Sequence, residues 1–224
     1  MIHISEFIFN TFQTRCCAVW DDSGKCAVID PGYCCGQERD SLVSFIESRN
    51  LTPVCIMLTH GHFDHIYGVS DLAGTYGIPV YMDKKEEYTI KNTNPHICGS
   101  FGLPLPSLPD SSAFREITEG DVIEVGSLRF EVIPAPGHSA GGACFLEREC
   151  RTLFSGDTLF AGAIGRTDHP GGDYDALINS IFTGLMCLDG DIKVIPGHGP
   201  TTDIATERMT NPFLMPFNEP YEQQ

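Results

Sequence analysis

Seven consecutive residues, Thr59-His60-Gly61-His62-Phe63-Asp64-His65, hold three histidines and an aspartate within six positions. Imidazole nitrogen and carboxylate oxygen are the donors that suit zinc and its first-row neighbours. His60 and His62 are two apart, so an extended backbone points both to one side. Asp64 and His65 follow after the chain turns and reach a second position. Two donor pairs aimed at two points predict two metals rather than one. The chain has only 8 histidines in 224 residues, and this spacing is too specific for a run of solvated loop residues.

Three more candidates share a single context, an apolar strand followed by a glycine-flanked polar residue. His138 follows Phe130-Glu131-Val132-Ile133, Asp157 follows Thr152-Leu153-Phe154, and His198 follows Lys193-Val194-Ile195. Glycine beside a donor lets the backbone turn and approach a ligand closely. Each alone reads as a turn; the three together with the opening motif make a set. Asp30, at a strand end before Pro31-Gly32, is either a turn residue or a carboxylate at the floor of a site. His96 lies in a loop and reads as solvated.

The elements that must position these residues are legible as short strands and amphipathic helices. His3 to Phe9, Cys16 to Trp20 and Cys26 to Asp30 read as strands, the last two joined by the turn Asp22-Ser23-Gly24. Ser41 to Arg49 reads as a helix. The apolar run Val54 to Leu58 reads as a buried strand, and Ile66 to Tyr76 has helical spacing. Ile78 to Met82 is a further strand. In the second half, strands are expected at Asp121 to Val125, Leu128 to Pro134, Gly142 to Glu147, Arg151 to Phe154 and Ile192 to Ile195. Tyr174 to Leu188 is expected as a helix capped by Asp173, and Asp203 to Met209 as a last one. Residues 88 to 115 break this rhythm with clustered Pro, Gly, Ser and Asn, and predict a lid or an insertion. Both halves run strands, helix, strand, helix, with no low-complexity linker between them. The expectation is one α+β domain over 1–224: an αββα sandwich of two mixed sheets with helices on the outer faces.

Fourteen basic against 30 acidic residues give a formal charge of -16. That field argues against a nucleic-acid partner and leaves small-molecule substrates open. No apolar run reaches membrane-spanning length, and no secretory hydrophobic stretch opens the chain. The 10 cysteines include no Cys-x-x-Cys pair, so reduced thiols in a cytoplasmic protein are the expected state. The vicinal Cys34-Cys35 is read either as a redox-sensitive pair near the pocket rim or as core packing. Oligomeric state is not legible.

The chain resembles the metallo-β-lactamase superfamily over nearly its full length, on Asp30, His60-x-His62-x-Asp64-His65, His138, Asp157 and His198. The resemblance implies a first metal on His60, His62 and His138, and a second on Asp64, His65 and His198. Asp157 would bridge both opposite a shared hydroxide, and Asp30 would orient a ligand by hydrogen bonding. Zinc is the expected metal, with iron or manganese as alternatives. Within the superfamily the likeness is to single-domain glyoxalase II-like hydrolases, through Ser155-Gly156-Asp157-Thr158-Leu159-Phe160 and Gly165-Arg166-Thr167-Asp168. In those enzymes a basic residue nine positions past the bridging aspartate holds a substrate carboxylate; here that residue is Arg166. Two departures stand out. Asp168 occupies the place of an aromatic, and the 26 residues after His198 are too few for the helical domain those enzymes carry.

What the resemblance implies is a hydrolase in which a metal-bridging hydroxide attacks a small thioester, with Asp64 orienting the nucleophile. Four metal charges less those of two aspartates and one hydroxide leave about +1, which draws the bound water's pKa toward about 7. Two alternatives stay open. One is a mononuclear iron persulfide dioxygenase using His60, His138 and Asp157. The other is a lactone or phosphodiester hydrolase on the same metals.

Overall fold

The strands alternate, and that alternation builds two cores out of one sheet. In the computed structural model, which describes residues 1–215, the first sheet runs in the order β1-β2-β3-β4-β5-β6. These strands are β1 (His3–Phe9), β2 (Thr14–Trp20), β3 (Lys25–Ile29), β4 (Thr52–Met57), β5 (Val80–Met82) and β6 (Phe114–Glu116). The first three form an antiparallel meander, and β3 to β6 are parallel. Along β2, Cys16 and Ala18 face a helical layer, while Cys17 and Val19 face the second sheet. The same alternation continues through Val28 against Ala27 and through Ile56 against Met57. The adjacent Cys16 and Cys17 thus belong to different cores, which accounts for that vicinal pair by packing alone.

Parallel neighbours need crossovers, and these supply the helices. They are α1 (Gly36–Ser48), α2 (Phe63–Ile66), α3 (Val69–Tyr76), α4 (Glu86–Lys91) and α5 (Pro95–Ser100). Leu42 and Ile46 of α1, with Val69 and Leu72 of α3, cover the outer face of the sheet. The continuous helix expected over Ile66 to Tyr76 is broken at Gly68, for a steric reason. A Cβ there would stand 2.3 Å from the Tyr33 ring and 2.6 Å from the Pro31 carbonyl. The chain presses against the β3–α1 loop at that point, and the Gly68 N–H donates to the Pro31 carbonyl.

The second sheet runs β14-β13-β10-β9-β8-β7. Its strands are β7 (Val122–Val125), β8 (Leu128–Pro134), β9 (Ala143–Glu147), β10 (Thr152–Gly156), β13 (Lys193–Pro196) and β14 (Thr202–Asp203). A small hairpin, β11 (Leu159–Phe160) with β12 (Ala163–Ile164), follows β10. Phe130, Phe145 and Phe154 face the first sheet, and each such buried ring contributes ~1.5–3 kcal/mol. Leu146, Leu153 and Val194 face outward to α6 (Tyr174–Ser180) and α7 (Ile204–Thr210). Asp173 caps α6 as expected, accepting the Ala176 N–H at 2.9 Å. A π-helical turn at Ile181–Leu185 replaces the remainder of the helix expected there. The result is the αββα arrangement. The irregular stretch 88–115 carries α5, part of α4 and the start of β6, all too short to leave a periodic signature.

Candidate metal centre

All the candidate residues stand at one edge of the sandwich because parallel strands end together. Asp30 closes β3 and His60 follows β4; His138, Asp157 and His198 follow β8, β10 and β13. The donor atoms of His60, His62 and His138 lie within 4.8 Å of one another, as do those of Asp64, His65 and His198. Of the eight histidines, only His3 and His96 lie elsewhere; His3 contacts Asp22, and His96 is exposed on α5.

Hydrogen bonds fix which ring nitrogen of each histidine faces the centre. His138 Nδ1 donates to the Arg166 carbonyl at 2.9 Å, and His198 Nδ1 to the Phe12 carbonyl at 3.0 Å. A carbonyl can only accept, so each Nδ1 carries the proton and each Nε2 presents a lone pair when neutral. Thr59 Oγ1 gives its proton to Asp30 Oδ2 at 2.6 Å, so it accepts from His60 Nδ1 at 3.0 Å. His65 Nδ1 donates to the same Asp30 oxygen at 3.0 Å. Asp30 also accepts the Thr59 N–H at 2.8 Å. It therefore orients two histidines, one directly and one through Thr59. His62 presents its other nitrogen: Nδ1 stands 2.9 Å from His138 Nε2. Across the centre, His65 Nε2 and His198 Nε2 are 3.2 Å apart.

Asp157 lies between the two groups. One carboxylate oxygen is 3.5 Å from His65 Nε2, and the other is 3.5 Å from both His138 Nε2 and His198 Nε2. Gly197 makes room for it, since a Cβ there would fall 2.3 Å from Asp157 Oδ1. Asp64 is held by the Thr14 hydroxyl at 2.7 Å. His60 Nε2 and Asp157 Oδ1 are buried without a hydrogen-bond partner among the described residues. Buried polar atoms are rarely left unpaired, and here both lie among the clustered imidazoles. This donor set fits divalent first-row cations.

The two groups differ in charge. Burial lowers the pKa of His60, with the neighbouring imidazoles adding to it, and lowers that of His62 to about 3. In His138 burial outweighs the attraction of Asp157. These three are neutral donors at pH 7. Burial also opposes charge on His65, but Asp64, Asp157 and Asp30 overcome it and raise its pKa to about 9. His198 follows the same pattern: burial opposes, and its ties to Asp157 and Asp64 raise it to about 10. Burial would raise Asp64, yet His65 and His198 bring it down to about 2. A cation entering the second group therefore displaces protons, whereas one entering the first does not.

A pH dependence follows. His65 and His198 have folded values above the ordinary 6.5, so their contribution to stability is complete below pH ~6.5 and is lost as pH rises through about 9 and 10. Urea denaturation of chelator-stripped protein is expected to show a midpoint that falls between pH 7 and 10. A midpoint that rises over that range contradicts the charge assignment.

Several side chains were not legible as members of the site. His169 packs edge-on to His62 and His138, with ring centroids 4.6 and 4.9 Å away. Its only sequence signal is its place next to Asp168. Thr14 and Arg15 reach the site from β2, and Glu86 from α4. Arg166 is exposed, and its guanidinium binds Asp168 through two hydrogen bonds of 2.7 and 3.0 Å. Its backbone carbonyl, which orients His138, has the closer tie to the centre. Cys34 and Cys35 line a cavity of about 280 Å³ with Tyr33, Arg39 and Tyr67. Burial and Glu38 push the Cys34 thiol up to about 11, so it is a poor nucleophile at neutral pH.

Comparison with known proteins agrees with this geometry. The family model described as Metallo-beta-lactamase superfamily matches residues 10–198. Hydroxyacylglutathione hydrolase GloC of Haemophilus influenzae is 39% identical over 205 residues, covering 91% of this chain and 93% of that protein. The crystal structure of the BLEG-1 B3 metallo-beta-lactamase superposes with a TM-score of 0.83 at 34% identity, covering 95% of this chain and 99% of that one. TTHA1623, crystallised in a di-iron-bound form, gives a TM-score of 0.81 at 34% identity, covering 94% and 100%. With the sandwich, the clustered His and Asp donors and a family match that ends on His198, the chain belongs to the metallo-β-lactamase superfamily.

Proposed function

We propose that this protein hydrolyses small thioesters in the manner of glyoxalase II, using two divalent metals. His60, His62 and His138 would hold the first metal, Asp64, His65 and His198 the second, and Asp157 would lie between them. The observation that carries this reading is the set of hydrogen bonds from Nδ1 of His60, His65, His138 and His198, which turns four Nε2 atoms toward one centre. The 39% identical hydroxyacylglutathione hydrolase supports the thioester class. Bound metals would supply a Lewis acid for the carbonyl and a water acidic enough to ionise near neutral pH.

The chain's own residues would do the rest. Asp64 stays ionised across neutral pH and is held at one oxygen by Thr14, so it is placed to orient the attacking water. Asp30 and Thr59 keep His60 and His65 in the donor tautomer. Zinc suits the imidazole-rich set, and iron is the alternative favoured by the di-iron form of TTHA1623. Ten free cysteines support a reducing, cytoplasmic setting. Steady-state turnover of S-lactoylglutathione and of thioesters lacking glutathione tests the assignment. Hydrolysis of at least one by metal-replete protein is expected; no turnover of any thioester overturns it.

A substrate carboxylate would have to compete with Asp168 for Arg166. Exposed ion pairs contribute ~0.2–1 kcal/mol. Arg166→Ala is therefore expected to raise KM for a carboxylate-bearing thioester by at most about fivefold, with kcat unchanged. A KM increase of about a hundredfold would make Arg166 a principal anchor.

A further inference from the structure

Glu86 is a fully buried carboxylate to which the reading above gives no task. It neither joins the donor clusters nor pairs with a cation among the described residues. Instead, one oxygen accepts the Gly61 N–H at 2.6 Å and the other accepts the Gly141 N–H at 2.6 Å. Gly61 sits between His60 and His62, and Gly141 closes the turn that begins at His138. A single carboxylate thus spans the two loops that carry the first donor group. Contact is close: a Cβ on Gly61 would fall 3.0 Å from the Glu86 carboxylate. Burying this charge is costly unless it is well bonded, so the two short N–H donors keep it there.

The second group has a corresponding clamp built from a different residue. The guanidinium of Arg15, on β2, donates to the Pro196 and Gly199 carbonyls at 2.5 Å each. Its backbone N–H donates to the Gly197 carbonyl at 2.7 Å. These three acceptors flank His198 on both sides. Glu6, 2.8 Å away, balances the charge of Arg15. Among the described residues Arg15 makes no hydrogen bond to the His60, His62 or His138 loops, and Glu86 makes none to the His198 loop.

We propose that Glu86 and Arg15 are positioning residues that set the affinities of the two metals separately, Glu86 for the His60/His62/His138 group and Arg15 for the Asp64/His65/His198 group. This rests on the two-metal reading. Glu86→Gln keeps size and shape but sets an amide NH₂ against one of the two N–H donors, which breaks one arm of the span. Arg15→Lys keeps the charge beside Glu6 but replaces the planar fork, whose two terminal nitrogens serve the two carbonyls separately, with a single ammonium.

The test is titration of Co(II), and of Zn(II) in competition with a chelator, into chelator-stripped wild type, E86Q and R15K. His62→Ala and His198→Ala serve as reference variants that assign each Co(II) absorption band to one group. In E86Q, affinity at the first group is expected to fall about 10–100-fold, with the second group within about threefold. R15K is expected to show the converse. Glu86→Asp, with charge and both acceptors kept one methylene short, is expected to show the E86Q pattern at smaller amplitude, and it decides the matter if E86Q does not fold. Equal losses at both groups in E86Q or E86D, or no loss, overturn the inference while leaving two metals in the wild type. A wild type that takes up only one Co(II) overturns the two-metal reading instead.

Discussion

Asp157→Asn is expected to lower kcat/KM by about two to four decades and to leave fewer than two metals per chain. The carboxylate stands 3.5 Å from imidazoles of both donor groups, so a neutral amide there weakens both at once. Removing one member of a buried charged network costs about 3–5 kcal/mol, which corresponds to that span of rate. Asp64, by contrast, is within ion-pair distance of His65 and His198, both of the second group, and Asp30 touches His65 directly but His60 only through Thr59. Steady-state kinetics with metal analysis of the purified variant checks the prediction. Two metals per chain with kcat/KM within tenfold of wild type would remove Asp157 from its place between the groups.

The second large effect is on stability. Asp30 accepts from the Thr59 N–H, the Thr59 hydroxyl and His65 Nδ1, all in the buried floor of the site. Asp30→Asn sets an NH₂ against at least one of these donors and deletes the charge that faces His65. A buried donor left unpaired costs about 1–3 kcal/mol, and breaking a buried ion pair about 3–5. A loss of about 3 kcal/mol is expected, or a fall in Tm of roughly 6–12 °C for a chain of this length. The substitution adds no backbone strain, because residue 30 has φ +49° and asparagine tolerates that region as well as aspartate does. Calorimetry at pH 7 reads the outcome; a Tm within about 2 °C of wild type would mean that Asp30 is only a turn residue.

Much of the centre could be read from residue order because its donors obey local rules. His60, His62, Asp64 and His65 are spaced by backbone geometry, and His138, Asp157 and His198 each follow an apolar strand. The sandwich was legible from element order, since both halves run strands, helix, strand, helix without a low-complexity linker. What escaped were partners that meet only through the tertiary fold. Arg15 and Pro196 are 181 residues apart and belong to different sheets. Glu86 begins a helix of six residues, too short to announce a buried face. Strands of two or three residues, such as β6, β11, β12 and β14, carry no usable alternation. The break at Gly68 depends on the Tyr33 ring, which no local pattern reveals.

The most direct measurement is the metal content of protein purified without oxygen or added metal and then loaded to saturation. Two divalent ions per chain are predicted, with loss of one in His62→Ala and of the other in His198→Ala. A fully active protein holding one ion, above all one iron with oxygen uptake on a persulfide, would contradict the account.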